Sequence, residues 1–231
     1  SIVDVPGFEQ FDPSDIVMPR RKIVQATTRD VDDALVGQYL DTLSGEAKKE
    51  VNVVILRYGH TRAMFTEGNF TAEALVCAST NGKTPRPNIA NPQSRLCETC
   101  PMAQWGDDGE KPQCHFGYTF LMVDSEDDSP FMITFAGTAI KPAKKLISGV
   151  ALKKRPFYSF NVRMGIEKKQ DERGKWYAPT FGFSAMTSKA VIEHYAEMFR
   201  GFAAIQLEAD AEGMASGEAV VDGDDAGESA F

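Results

Sequence analysis

Val51-Asn52-Val53-Val54-Ile55-Leu56-Arg57-Tyr58 is the stretch that decides the fold. β-branched and aromatic residues fill it, and such residues suit a pleated, packed surface better than a helix. Arg62-Ala63-Met64-Phe65 extends it beyond a kink expected at Gly59. Working outward, Glu73–Cys77 reads as a short strand, and Tyr118–Val123 with Phe131–Phe135 as an antiparallel hairpin. Asp124, Glu126, Asp127 and Asp128 fall in the turn of that hairpin and read as a solvated loop. From Phe157 to Glu167 the chain alternates: Phe160, Val162, Met164 and Ile166 share one face, with Asn161 and Arg163 on the other. After a turn over Lys169–Gly174, Trp176–Ser184 returns. Phe160, Phe181 and Phe183 are expected in the core.

Two helices punctuate these strands. Ala139–Ile147 carries Pro142 in its first turn, where a missing N–H costs little. Residues 188–206 begin on Ser188, an N-cap residue, and carry Val191, Ile192, Tyr195, Met198, Phe199 and Phe202 at helical spacing. A helix between the third and fourth strands is the order of a five-stranded OB-type Greek-key barrel. The expected fold is therefore mainly β. Residues 1–50 form an N-terminal arm with a short helix inside 29–49, packing on the barrel. Residues 51–206 form the OB domain, with a metal-binding insertion over about 77–115. Residues 207–231 are a disordered acidic tail.

The insertion holds every cysteine: Cys77, then Cys97-Glu98-Thr99-Cys100, then Cys114-His115. A Cys-x-x-Cys pair lets two thiolates reach one tetrahedral metal at about 2.3 Å. The runs between the cysteines are rich in Gly, Pro, Asn and Asp and too poor in apolar residues to build a core. Cys77, Cys97, Cys100 and Cys114 are thus expected to hold a structural Zn2+. An iron–sulfur cluster, two disulfides, four free thiols and His115 in place of Cys114 are the alternatives. Four thiolates leave no open position, so the site is expected to be a staple and not a catalyst.

Charge is unevenly distributed. The net charge is −8, from 25 bases and 33 acids. No base follows Arg200, while Glu208, Asp210, Glu212, Glu218, Asp222, Asp224, Asp225 and Glu228 crowd the end. Setting those acids aside leaves 25 against 25, and residues 136–200 alone carry 13 bases and 5 acids. A basic half and an acidic tail share one chain.

No Gly-x-Ser-x-Gly, phosphate-cradling loop or metal-type carboxylate motif occurs, and His60, His115 and His194 lack catalytic spacing. Binding without catalysis is the expectation. Lys153, Lys154 and Arg155 precede Phe157 and Tyr158, and Arg163, Lys168, Lys169, Arg173 and Lys175 follow, with Trp176 and Tyr177 beside them. Arg57, Tyr58, Arg62 and Phe65 extend the set. Cations meet phosphates and release counterions, while unpaired bases stack on rings. Lys83, Arg86 and Arg95 could carry the groove's rim onto the insertion. The tail, a disordered composition, ends on Phe231.

On Asp222, Asp224, Asp225, Glu228 and Phe231, the chain resembles the single-stranded DNA-binding proteins of bacteriophages. Bacterial and phage members join an OB-fold body to an acidic tail ending in Phe. Here Ala230 stands where those tails usually carry Pro, and bacterial members lack the cysteine insertion. The resemblance implies a protein that coats and protects unpaired DNA in phage replication and recombination. It also implies that the tail recruits replication and recombination proteins, that homo-oligomers are open to it, and that it works in the cytoplasm of an infected bacterial host without a membrane. A zinc-containing adaptor gripping a polymerase or host protein, and an annealing or RNA-binding OB protein, are the other readings.

Overall fold

The computed structural model describes residues 17–28, 31–66, 70–71, 73–171, 174–209 and 214. Its strands are β1 (Arg20–Ile23), β2 (Tyr39–Asp41), β3 (Ala47–Lys48), β4 (Val51–Phe65), β5 (Leu75–Ser79), β6 (Cys114–Asp124), β7 (Pro130–Ala136), β8 (Phe160–Asp171) and β9 (Gly174–Ala185). The helices are α1 (Ile140–Ala151) and α2 (Lys189–Gly201). The strands form one sheet in the order β3-β2-β1-β7-β6-β4-β8-β9, with β5 on the flank of β4 beside β8. All pairs are antiparallel except β1 with β7. The sheet curls into a half-barrel.

Alternation gives the sheet two apolar faces. Val51, Val53, Ile55, Phe120, Met122, Phe131, Ile133, Phe135, Phe160 and Val162 line the inner one, which α1 fills with Ala143, Leu146 and Val150. Val54, Leu56, Leu121, Val123 and Met132 line the outer one, under Tyr195 of α2 and Leu207. Ser188 caps α2, its Oγ accepting from the Val191 N–H at 3.4 Å. Side chains draw the curl together. Gln25 donates to the Tyr177 carbonyl at 2.8 Å and accepts from the Tyr177 N–H at 2.9 Å. The Tyr39 hydroxyl donates to the Gly165 carbonyl at 2.9 Å.

Several expectations change. The sheet has nine strands and not five. Inside 29–49 there is a three-residue 3-10 turn, Asp33–Leu35, followed by β2 and β3. Those short strands find partners through tertiary pairing that no local period reveals. β4 runs through Gly59 unbroken, and its irregularity is a bulge between Ile55 and Arg57. Leu207 and Met214, expected in a disordered tail, are buried against the sheet's outer face. Phe160 is buried, but Phe183 is 36% exposed, its ring lying against Gly149 of α1.

Asp124 is not a loop acid in solvent. Its carboxylate is buried and meets the Arg21 guanidinium at 2.9 Å. Arg21 also reaches Asp41 at 3.5 Å and lies 4.1 Å from the centre of the Phe131 ring. Lys48 approaches Asp124 at 3.7 Å and Glu126 at 3.1 Å. This ion-pair network centred on Asp124 therefore ties β1, β2 and β3 to the β6–β7 turn. Removing one partner strands a buried charge, which costs about 3–5 kcal/mol. Arg21→Met should lose stability of that order in urea unfolding. The double variant Arg21→Met/Asp124→Asn should lose clearly less than the two single losses added together.

Candidate nucleic-acid interface

β4 is longer than either neighbour on one of its flanks. β8 covers Val51–Val53 and β5 covers Arg62–Phe65. Between them, Arg57, Tyr58, Gly59 and His60 border an open groove of about 590 Å³, walled by Thr80 and Asn81 on one side and residues 203–207 on the other.

The bulge sets which side chains enter. Beyond it, Tyr58, His60 and Arg62 alternate onto the inner face, opposite Phe120, Tyr118 and Phe116 of β6. Tyr58 stacks on Phe120 at 5.7 Å and meets Phe157 at 5.1 Å. His60 stands edge-on to Tyr118 at 5.0 Å and to Phe116 at 5.5 Å. The Arg62 guanidinium lies 5.3 Å from the centre of the Phe116 ring. Its Nε is buried and has no acceptor among the described residues. His60 itself is exposed and Phe116 half-buried. Partial burial holds the His60 imidazole below its usual range, and Arg62, Lys83 and Lys144 add to this.

The residues expected from sequence fall into separate places. Tyr58, Arg62 and Phe157 join this cluster. Arg57 faces outward, and its Nη1 donates to the carbonyls of Phe202, Ala203 and Ile205 at 3.1, 2.8 and 2.9 Å. That positive charge sits where the C-terminal carbonyls of α2 gather. Tyr158 packs on Phe199 of α2 at 5.5 Å, and Phe65 on Phe70 at 5.3 Å. Lys153 and Lys154 are exposed after α1, and Arg155 donates to the Met186 carbonyl at 3.0 Å. Arg163 pairs with Glu50 at 2.9 Å and Lys169 with Glu167 at 2.7 Å. Lys168 and Lys175 are exposed on the β8–β9 hairpin, where Trp176 and Tyr177 are half-buried. Arg86 pairs with Glu208 at 3.1 Å, while Lys83 and Arg95 are exposed. Arg173, Asp222, Asp224, Asp225, Glu228 and Phe231 lie outside the described residues.

Sequence reasoning missed His60, Phe116, Tyr118 and Lys144. A signal existed: Tyr58, His60 and Arg62 alternate on one strand, as Phe116, Tyr118 and Phe120 do on another.

The cysteines flank the same strand. Cys77 of β5 and Cys114 of β6 both stand opposite Met64 of β4. Cys97, Cys100 and Cys114 are buried and Cys77 half-buried, all four as free thiols. Burial pushes the Cys114 thiol up to about 11 and raises Cys77 as well, and the neighbouring thiols reinforce both shifts. Among the described residues, no three His, Cys, Asp or Glu side chains converge in a group able to hold a metal.

The family model described as Pam3 phage gp34-like protein matches residues 3–207, which span the sheet, both helices and the cysteine segment. The chain belongs to that family. The family's name ties this gp34-like protein to bacteriophages, as the tail resemblance implied. No curated protein and no solved structure matches it. No helix among the described residues is long and apolar enough to cross a membrane.

Arg57 should act here as a structural brace. Arg57→Met removes charge-assisted hydrogen bonds of a kind worth about 1.5–3 kcal/mol each to stability. Amide exchange at Phe202–Leu207 should speed up in that variant, with the inner-face strands protected as before.

Proposed function

We propose that this protein binds single-stranded DNA along the inner face of β4 and β6. The observation that carries the reading is the inner-face cluster in which Tyr58, His60 and Arg62 of β4 stand beside Phe116 of β6, with Tyr58 and His60 also bordering the open groove. Rings give unpaired bases a stacking surface that tolerates sequence, and cations meet the backbone. The half-barrel filled by a helix is read as an OB-type barrel enlarged by extra strands. The exposed Lys153, Lys154, Lys168 and Lys175 supply a second basic stretch that can extend the path of the strand. In this reading the protein coats unpaired DNA in phage replication and recombination. The acidic tail recruits partner proteins, so deleting residues 221–231 should abolish recruitment and leave DNA affinity unchanged or higher.

Fluorescence titration with oligo-dT tests the core of the proposal. Affinity should exceed that for duplex and fall steeply between about 50 and 200 mM salt. Phe116→Leu keeps apolar bulk but removes the ring, and should cost about 1–3 kcal/mol of binding, the worth of one stacked base. Absence of binding at low salt, or equal affinity for duplex, would remove the proposal. Equal competition by RNA would move it to an RNA-binding protein.

His60 supplies a pH signature. Its pKa is lowered in the free protein, so the ring is neutral near pH 7. A phosphate beside Arg62, Lys83 and Lys144 offsets their charge and raises that pKa, so binding takes up a proton. Affinity should therefore increase as pH falls below about 6.5. In His60→Gln that increase should flatten.

A further inference from the structure

Residues 80–113 leave the sheet at the end of β5 and return at the start of β6. Over this whole excursion the only buried side chains are those of Cys97 and Cys100. Leu96 is 50% exposed, and Ile89, Met102 and Trp105 are only half-buried. Ordering backbone costs roughly 1–2 kcal/mol per residue, and unstructured loops beyond about 12–15 residues are uncommon. Local hydrogen bonds exist: Arg86 N–H to the Ala78 carbonyl at 2.8 Å, Cys97 N–H to Lys83 at 2.8 Å, and Gly106 N–H to Glu110 at 2.9 Å. They shape turns but do not anchor Cys97–Cys100 to a core.

The excursion's two roots carry the other two thiols. Residues opposite one another in a sheet point to the same side, so Cys77 and Cys114 share the inner face with Met64 between them. Their strands lie roughly 10 Å apart across β4, and the inward curl of the sheet draws their side chains together. The Gln93 backbone lies within hydrogen-bonding reach of the Cys77 sulfur. His115 is removed from the ligand set by the same alternation. It stands opposite Ala63 on the outer face, with its ring against Phe70.

We infer that Cys77, Cys97, Cys100 and Cys114 bind one Zn2+ as a closed tetrathiolate centre that pins residues 80–113 to the sheet at both roots. The four thiols lie near enough for their charges to interact, while no three of them stand close enough together to hold a metal as placed. Closure on a metal requires the Cys97–Cys100 turn to shift toward the two roots, and a Cys-x-x-Cys turn can place both sulfurs about 2.3 Å from a zinc. Zinc binding releases the thiol protons and leaves no open coordination position, so the centre holds structure and performs no chemistry. This inference does not depend on the nucleic-acid reading.

The test is elemental analysis of the full chain, purified without chelator from zinc-supplemented medium. One zinc per chain is expected, with all four thiols slow towards Ellman's reagent until a mercurial displaces the metal. Stripping the zinc should open residues 80–113 to limited proteolysis while the β-sheet circular dichroism persists, and adding Zn2+ back should restore protection. Cys97→Ser and Cys77→Ser should each lose most of the bound zinc. The strip-and-restore measurement on the unaltered chain decides the matter if either variant fails to fold. Four reactive thiols with zinc far below one equivalent would overturn the inference. So would stoichiometric iron, stoichiometric disulfide, or protease resistance indifferent to zinc.

Discussion

A single extra residue in β4, at the bulge between Ile55 and Arg57, governs what this protein presents to its surroundings. Before it, Val51, Val53 and Ile55 face inward and supply core. Without it, strict alternation would send Arg57, Gly59 and Thr61 inward and turn Tyr58, His60 and Arg62 out. A one-residue slip moves every following side chain to the other face. With it, rings and a cation enter the mouth of the half-barrel, and Arg57 turns outward to hold the end of α2. Thr61, also sent outward, meets Thr119 at 2.9 Å, and Thr119 meets Thr134 at 2.9 Å. That buried line of hydroxyls across three strands is hydrogen-bonded within itself, which limits the cost of placing polar groups beneath the outer covering.

The division of labour between faces follows. α1 fills the inner face with Ala143, Leu146 and Val150. α2 and residues 205–209 close the outer face, and a Leu207 methyl lies 3.2 Å from where a Cβ on Gly59 would stand. Among the described residues, the flank of β4 between β8 and β5 has no strand partner and borders the groove. The buried Arg21–Asp124 pair does comparable work at the far end, joining short strands too small to hold register alone. Buried pairs seldom add net stability over apolar replacements, but an unmatched member is costly. The pair therefore favours the one arrangement in which both charges meet.

Legibility in the sequence tracked how local each cause was. β4, the β6–β7 and β8–β9 hairpins and both helices could be read, because period and capping belong to consecutive residues. β1, β2 and β3 could not, since strands of two to four residues carry almost no period and exist through their partners. Leu207 and Met214 looked like tail because the residues around them are acidic, yet the sheet offered them apolar cover. Arg57 and Arg62 read alike as basic residues on one strand. The bulge gave the first to the end of a helix and the second to an aromatic face.

Composition and spacing alone determined that the chain is mainly β, that its charge is polarised along its length, and that its four cysteines lie in a segment unable to form a core. Each of these is a property of residues counted or compared nearby. Tertiary structure decided which aromatics meet which cations, that Asp124 is buried, and that His60 borders the groove. Cys77 and Cys114 flank one residue of β4 by the same cause. These outcomes depend on strand register across gaps of many residues, and register is set by packing the whole sheet at once.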